Sequence, residues 1–245
     1  MSISDEMRQV VKTLLDYRYQ FEQSIGIPSR TSATELKRIS DIQNSRIVKM
    51  KKTPPTISGY IDGALRGTAY HNGISFIDLD KLREDLSLEC VQNELCRICD
   101  EGKINAKVFQ EDKMMPQKIY NFFKDCHLGE AILKTDNKNI YREKSFQIAI
   151  DASEYKGTNE GLTDEKMILQ GVIDCFFIDE SDSQIVLIDY KSDSMKNKTE
   201  QDMLDMYSRQ LDLYADAIEK ITGKKVKEKY LYLFDIDKAI EYKRS

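Results

Sequence analysis

The chain has 245 residues, 40% apolar and 32% charged, enough for one large domain or for one domain with a small appendage. Its 37 Lys and Arg against 42 Asp and Glu give a formal net charge of −5, which excludes a uniformly basic surface, so a polyanionic ligand must meet a local patch or a metal. No apolar run approaches the ~18–20 residues of a membrane span. The early Asp5, Glu6 and Arg8 do not read as a signal peptide, and five Cys fit free thiols in a reducing cytoplasm.

Met7, Val10, Val11, Leu14, Leu15 and Phe21 recur at helical spacing, and Gly26 and Pro28 close that stretch. Ser32-Ala33-Thr34-Glu35 reads as a capping box opening a helix through Leu36 and Ile39. Residues 46–59 hold Arg46, Lys49, Lys51, Lys52 and Pro54-Pro55, a loop or linker. From Arg66 to about Lys134 the apolar spacing is mostly helical, after which the period changes to two. Residues 145–150 alternate weakly; 167–178 and 184–191 are strong strands separated by the polar turn 179–183. Leu204, Tyr207, Leu211, Tyr214, Ile218 and Ile221 mark an amphipathic helix stopped at Gly223. Residues 230–234, and a shorter piece at 239–242, read as strands. Helices followed by a mixed sheet with a helix packed on it make an α/β or α+β pattern.

Two acids, Asp174 and Asp189, interrupt the apolar strands. A carboxylate there costs several kcal/mol if buried unpaired, so it pairs, binds a metal or sits at a functional edge. Strand alternation puts Asp189 and Lys191 on one face. A hairpin closing across Ser181 sets Asp174 opposite Ile188; a shift of one sets it opposite Asp189. Either way two carboxylates and an ammonium converge. Two close carboxylates repel unless a cation intervenes, and a hard ion, Mg²⁺ or Mn²⁺, suits oxygen ligands. Lys191 beside such an ion suits metal-assisted phosphodiester hydrolysis, while a structural Asp–Lys pair at a strand end is the alternative on pattern alone.

The segments LQGVIDC at 169–175 and LIDYKSD at 187–193 resemble the PD-(D/E)xK nuclease motif. With SATELKR at 32–38, RGTAYH at 66–71, NFFKDCHLGEAIL at 121–133, YREKSF at 141–146 and RQLDLYADAI at 209–218, the chain is similar to the C-terminal nuclease domain of AddA (RexA) and RecB helicase–nucleases, AddA being the nearer. The resemblance implies a restriction-endonuclease-like α/β core, a mixed central sheet flanked by helices, with an added N-terminal helical region. The division it suggests is a helical segment and linker over 1–60 and the nuclease core over 61–245.

It further implies Asp174, Asp189, the Tyr190 carbonyl and His71 as ligands of Mg²⁺ or Mn²⁺, with Lys191 serving the attacking water. Gln210 and Tyr214 match a Q-x-x-x-Y signature that braces the site or touches DNA. Glu143 matches a strand acid of the family, but a surface ion pair explains it equally well, and it is left outside the catalytic set. An iron–sulfur cluster of the AddB type is not expected, because all five Cys precede Lys191. Cys96 and Cys99 form a C-x-x-C that reads as a helix with buried thiols. No G-x-x-x-x-G-K-[ST] occurs, so the chain is not a motor by itself. The expected function is a metal-dependent, exonuclease-type DNA nuclease in the cytoplasm, working with a helicase portion or an AddB-like subunit in double-strand-break processing. The competing readings are a non-catalytic DNA-binding or scaffold module and a hydrolase of small phosphate esters. The basic stretch 220–229 is the expected local compensation for the acidic net charge.

Overall fold

A computed structural model describes residues 4–15, 27–43, 63–156 and 165–243. The linker expected at 46–59, the expected division at residue 60 and Phe21 lie outside them. The described chain runs α1 (Asp5–Leu15), β1 (Arg30–Ser32), α2 (Ala33–Gln43), α3 (Gly63–Phe76), α4 (Leu79–Glu84), α5 (Leu88–Asp100), α6 (Ala106–Glu111), α7 (Met115–Asp125) and α8 (His127–Lys134). Then come β2 (Ile140–Asp151), α9 (Ser153–Lys156), β3 (Lys166–Ile178), β4 (Ile185–Lys191), α10 (Glu200–Thr222), β5 (Val226–Leu233) and β6 (Lys238–Glu241). No described helix is long and apolar enough to cross a membrane.

The strands form one mixed sheet ordered β1-β3-β4-β5-β6, with β2 paired to β3. The long β3 is antiparallel to β2 and to β4 and parallel to β1, and β4 runs parallel to β5. The β4–β5 connection is α10. Thr199 caps it in a reciprocal box with Asp202, and Gly223 ends it at φ 69°. Each face of the sheet buries its own core. Cys175, Phe177, Ile188, Tyr190, Tyr232 and Phe234 pack under α3–α8, while Phe176, Leu187, Leu231 and Leu233 pack under α10 and α2. Ala33 and Leu36 belong to that second core, so β1 and α2 are built into the sheet.

Several boundaries differ from the sequence expectation. Strand β2 starts at Ile140, because Arg142, Glu143 and Lys144 break the apolar alternation without ending the strand. In the box read at Ser32, Ser32 Oγ accepts from Glu35 N–H (3.1 Å), but the Glu35 carboxylate turns to Arg38. Cys96 is exposed and Cys99 half-buried, so the C-x-x-C thiols are not the buried pair expected. The basic stretch is not free either: Lys225 pairs with Glu219, Lys227 with Asp179 and Asp182, and Lys229 with Asp212. These carboxylates offset part of the positive charge of the stretch, in which Lys224 Nζ donates to the Ser183 carbonyl (3.5 Å).

The helical layer is tied together at Glu94, buried on α5. Its carboxylate accepts from Lys81 Nζ (2.6 Å), Arg97 (2.7 Å) and Asp78 N–H (3.2 Å). Burial favours its neutral form, but the Arg97 and Lys81 hydrogen bonds outweigh this and hold the carboxyl down to about 2. The folded value lies below the unfolded one, so this stabilisation is full above about pH 4.5 and is lost as pH falls toward 2. Glu94→Gln is expected to cost about 1–3 kcal/mol, toward the lower end because both cations are substantially exposed. Denaturant unfolding at pH 7 and pH 3 checks this: the variant's deficit should shrink at the lower pH.

Candidate active site

The β3–β4 hairpin closes with Cys175 opposite Ile188 and Ile178 opposite Ile185. That register, continued one step, faces Asp174 with Asp189, but the ladder stops at Cys175. Asp174 instead turns its carboxylate across the gap, and Oδ2 accepts the backbone N–H of Tyr190 at 2.8 Å. On the other edge of β3 the paired residues run Arg142–Cys175 and then Lys144–Ile173, passing over Glu143 and Asp174. Glu143 has φ 48°. Both strands change the phase of their alternation there. Cys175 and Phe177 face the α3–α8 core, whereas Ile173, Leu169 and Met167 share the α10 face with Phe176. Likewise Tyr141 and then Phe146, Ile148 and Ile150 share the α10 face, odd positions giving way to even. This local inversion points Glu143 and Asp174 toward α3.

Helix α3 brings His71 to meet them. Arg142 Nη1 donates to the carbonyls of Ile74 (3.1 Å) and Ile77 (2.8 Å), and the Ser75 hydroxyl donates to Glu143 Oε1 (3.3 Å). The helix end is thereby clamped onto β2. His71 Nδ1 stands 3.3 Å from Asp174 Oδ1 and 3.8 Å from Glu143 Oε1. Donor atoms of His71, Glu143 and Asp174 all lie within 4.8 Å of one another. Burial drives His71 toward neutrality, but its hydrogen bonds to Asp174 and Glu143 prevail and hold the imidazole up to about 10. Burial likewise opposes the Asp174 carboxylate, and the His71 contact together with the Tyr190 N–H keeps it below the usual range. Two carboxylates that draw a proton onto a neighbouring imidazole make a site short of positive charge.

Asp189 is 1% exposed and lies beside this group. Its Oδ2 is 2.5 Å from Lys191 Nζ, an ion contact without an aligned hydrogen bond, and its Oδ1 accepts from Gln210 Nε2 at 3.3 Å. Burial is the main reason its carboxyl is pushed up to about 6, and Asp174 adds to the shift. Burial opposes the Lys191 ammonium, but Asp189 and Asp174 outweigh it and raise the group above its ordinary value. The ammonium also sits 4.5 Å from the Tyr207 ring centroid, and the Tyr207 hydroxyl donates to Asp193 Oδ2 (3.1 Å).

Gln210 Nε2 donates to the Tyr214 hydroxyl at 2.8 Å as well as to Asp189, so the Q-x-x-x-Y pair braces the acid from α10. Tyr214 is buried and edge-on to Phe146, a packing that needs Gly171: a Cβ there would stand 2.8 Å from the Phe146 ring. Gln210→Leu removes the amide and keeps the apolar stem. On the metal-dependent reading proposed below, we expect it to weaken Mn²⁺ binding or turnover about tenfold, the usual cost of losing an outer partner of a metal-ligating carboxylate; steady-state kinetics beside calorimetric Mn²⁺ titration checks it.

His71, Tyr190 and Lys191 open on a cleft of about 1140 Å³ that Arg66, Lys113 and Ser192 also line. Gly67 keeps its floor close, since a Cβ there would meet Ser192 Oγ at 3.0 Å. Of the residues read from sequence, the structure sets His71, Tyr190 and Lys191 at this cleft, with Asp174 and Asp189 buried against His71 and Lys191, and Gln210 and Tyr214 behind Asp189. It also brings in Glu143, left outside the catalytic set with a surface ion pair and a family strand acid equally open, and Arg142, Ser75 and Tyr207, for which the pattern gave no signal. Among the described residues, the donor atoms near enough to share one cation are those of His71, Glu143 and Asp174, while Asp189 is turned to Lys191 and Gln210.

A family model described as the PD-(D/E)XK nuclease superfamily matches residues 45–244. The ATP-dependent helicase/nuclease A-subunit of Thermoanaerobacter sp. (strain X514) is 36% identical over 250 residues, covering 97% of this chain and 19% of that protein. The corresponding protein of Clostridium novyi (strain NT) is 35% identical over 245 residues, with 94% and 19% covered. That of Clostridioides difficile (strain 630) is 32% identical over 250 residues, with 95% and 19% covered. The chain thus spans 19% of the length of these relatives. A solved structure described as "Crystal structure of SSO0001" aligns over 98% of this chain and 76% of its own at TM-score 0.33 and 13% identity, too low a likeness to bear on the fold. The mixed sheet flanked by helices, the buried acid–acid–lysine cluster and the family match over residues 45–244 together establish that the chain belongs to the PD-(D/E)XK nuclease superfamily.

Proposed function

We propose that this chain is a divalent-metal-dependent DNA nuclease module of the kind carried by the A-subunits of helicase/nucleases, acting on strands that a helicase portion or partner protein delivers. The observation that supports it most is the convergence of His71, Glu143 and Asp174 within 4.8 Å of one another, with His71 reaching the open cleft that Lys191 also lines. The donor set fits the group the family implies. Two carboxylates and an imidazole within 4.8 Å can share one cation at the usual ~2.0–2.2 Å ligand distances, and an oxygen-rich set with one imidazole suits Mg²⁺ or Mn²⁺. Asp189 and the Tyr190 carbonyl are the further ligands we assign. A bound divalent ion supplies charge neutralisation at the phosphate and a more acidic water.

The protein's own groups do the rest. The Asp174 bond to Tyr190 N–H fixes the carboxylate that the cation and the imidazole share. Lys191, kept cationic by Asp189 and Asp174, orients the attacking water and stabilises charge on the pentacovalent phosphate rather than acting as a base. The helical layer on one side of the sheet and α10 on the other hold these groups on regular elements. The competing reading, a nuclease fold retained for DNA binding alone, has less support because Asp174, Asp189 and Lys191 are all present and adjacent. Incubation of purified protein with single- and double-stranded DNA in Mg²⁺, Mn²⁺ or EDTA decides between them. Cleavage that EDTA stops is expected; DNA binding without cleavage in any metal would favour the scaffold.

A further inference from the structure

A second concavity of about 370 Å³ adjoins the cleft, with Gln110, Asp112 and Lys113 lining both. Its wall is apolar where the surface of a small helix pair is ordinarily polar. Met114 is 55% and Leu88 37% exposed, beside a half-buried Phe109, and the amide-bearing Gln92 and Gln110 lie on the rim. Single exposed apolar residues need no explanation, but two in one hollow next to the chemistry do.

Met114 precedes Met115-Pro116 at the start of α7, with its backbone already helical (φ −87°, ψ −15°) and its side chain left outward in the hollow. The neighbouring Asp112 adds no free negative charge: Oδ2 accepts from Arg66 (2.7 Å) and Tyr70 (3.1 Å), and Oδ1 from Met114 N–H (3.2 Å). Lys113, exposed on the ridge between the two hollows, has no carboxylate within ion-pair distance among the described residues. Arg66, which holds Asp112, is five residues before His71 on α3, about 7.5 Å along the axis, a distance on the order of a nucleotide step in an extended strand.

We propose that this pocket receives one unpaired nucleobase of the substrate strand, next to the scissile phosphate. The base lies against Met114, Leu88 and Phe109, Gln92 and Gln110 meet its polar edge, and Lys113 holds the intervening phosphate. An apolar wall tolerates any base face, so the site anchors a single strand without selecting sequence. The inference rests on the nuclease reading above and names how the strand is held.

The test is fluorescence anisotropy of a short labelled single strand, with Ca²⁺ replacing Mg²⁺, in which an abasic residue is walked through the sequence one position at a time. Wild-type protein is expected to lose about fivefold or more in affinity at one position. Gln110→Ala and Met114→Ser should weaken the intact strand by a similar factor and cause no further loss when that same position is abasic. Thermal melts of both variants are recorded alongside, and unchanged melting temperatures separate weaker binding from poorer folding. A flat abasic scan, or variants that weaken intact and abasic strands equally, overturns the pocket. Mg²⁺ cleavage by the wild-type protein is measured alongside. Cleavage with a flat scan removes the pocket and leaves the nuclease; a position-dependent scan without cleavage keeps the base site and removes the nuclease.

Discussion

Asp174→Asn is expected to eliminate detectable cleavage, a loss of about 10³-fold or more, and to weaken Mn²⁺ binding by about 10–100-fold. The replacement is isosteric, and its amide oxygen can still accept the Tyr190 N–H that Asp174 Oδ2 accepts at 2.8 Å, so the β3–β4 gap keeps its shape. What disappears is the negative charge that His71 and Lys191 both face. The imidazole, held up to about 10 by Asp174 and Glu143, should then titrate nearer its ordinary range, which nitrogen-15 imidazole resonances of metal-free protein can follow. Cleavage rates, calorimetric Mn²⁺ titration and a thermal melt on the same preparation separate lost chemistry from lost fold. A variant that folds normally and still cuts at the wild-type rate would remove Asp174 from the site.

Lys191→Ala should show the complementary pattern: turnover lower by about 10²–10³-fold, with metal and DNA affinity within a few-fold of wild type. The ammonium is assigned to the transition state and to the water, not to the ion, so its loss should leave ground-state binding alone. The neighbour it leaves behind is predictable too. Asp189 is 1% exposed and already pushed up to about 6 with Lys191 only 2.5 Å away. Without the cation its neutral form is favoured further, so the metal-free variant should take up a proton on Asp189 at a higher pH than wild type. Glu143→Gln and Asp189→Asn are expected to differ from it by weakening Mn²⁺ as well. Rapid-quench single-turnover rates beside calorimetry decide the matter; near wild-type cleavage by Lys191→Ala would remove Lys191 from the transition state.

The strands that carry Asp174, Asp189 and Lys191 were legible because each is a dense apolar run and the polar turn between them is short. The hairpin register was open by one residue, and the structure takes the option that aligns Asp174 with Asp189, then interrupts the ladder at that point. Glu143 was hard to read for a physical reason. Period-two reasoning assumes constant phase, and β2 changes phase at a residue with φ 48°, inside a charged run that looks like surface. Arg142 in that run is half-buried, clamping α3 rather than facing solvent. His71 had no local signal, since the helix that carries it meets β3 about a hundred residues later in the chain; only the order of motifs pointed to it. Strand β1, with three residues, is too short to show any period. Lys227 and Lys229 looked available because their partners, Asp179, Asp182 and Asp212, come from other elements.

The central claim is that His71, Glu143 and Asp174 hold the catalytic cation, and anomalous diffraction from a crystal soaked in Mn²⁺ tests it most directly. The expected result is a single strong peak at ~2.0–2.3 Å from a nitrogen of His71 and from carboxylate oxygens of Glu143 and Asp174, absent from Asp174→Asn crystals soaked in the same way. A cleft without anomalous density at saturating Mn²⁺, or a peak held elsewhere while these three side chains keep their mutual contacts, would contradict it.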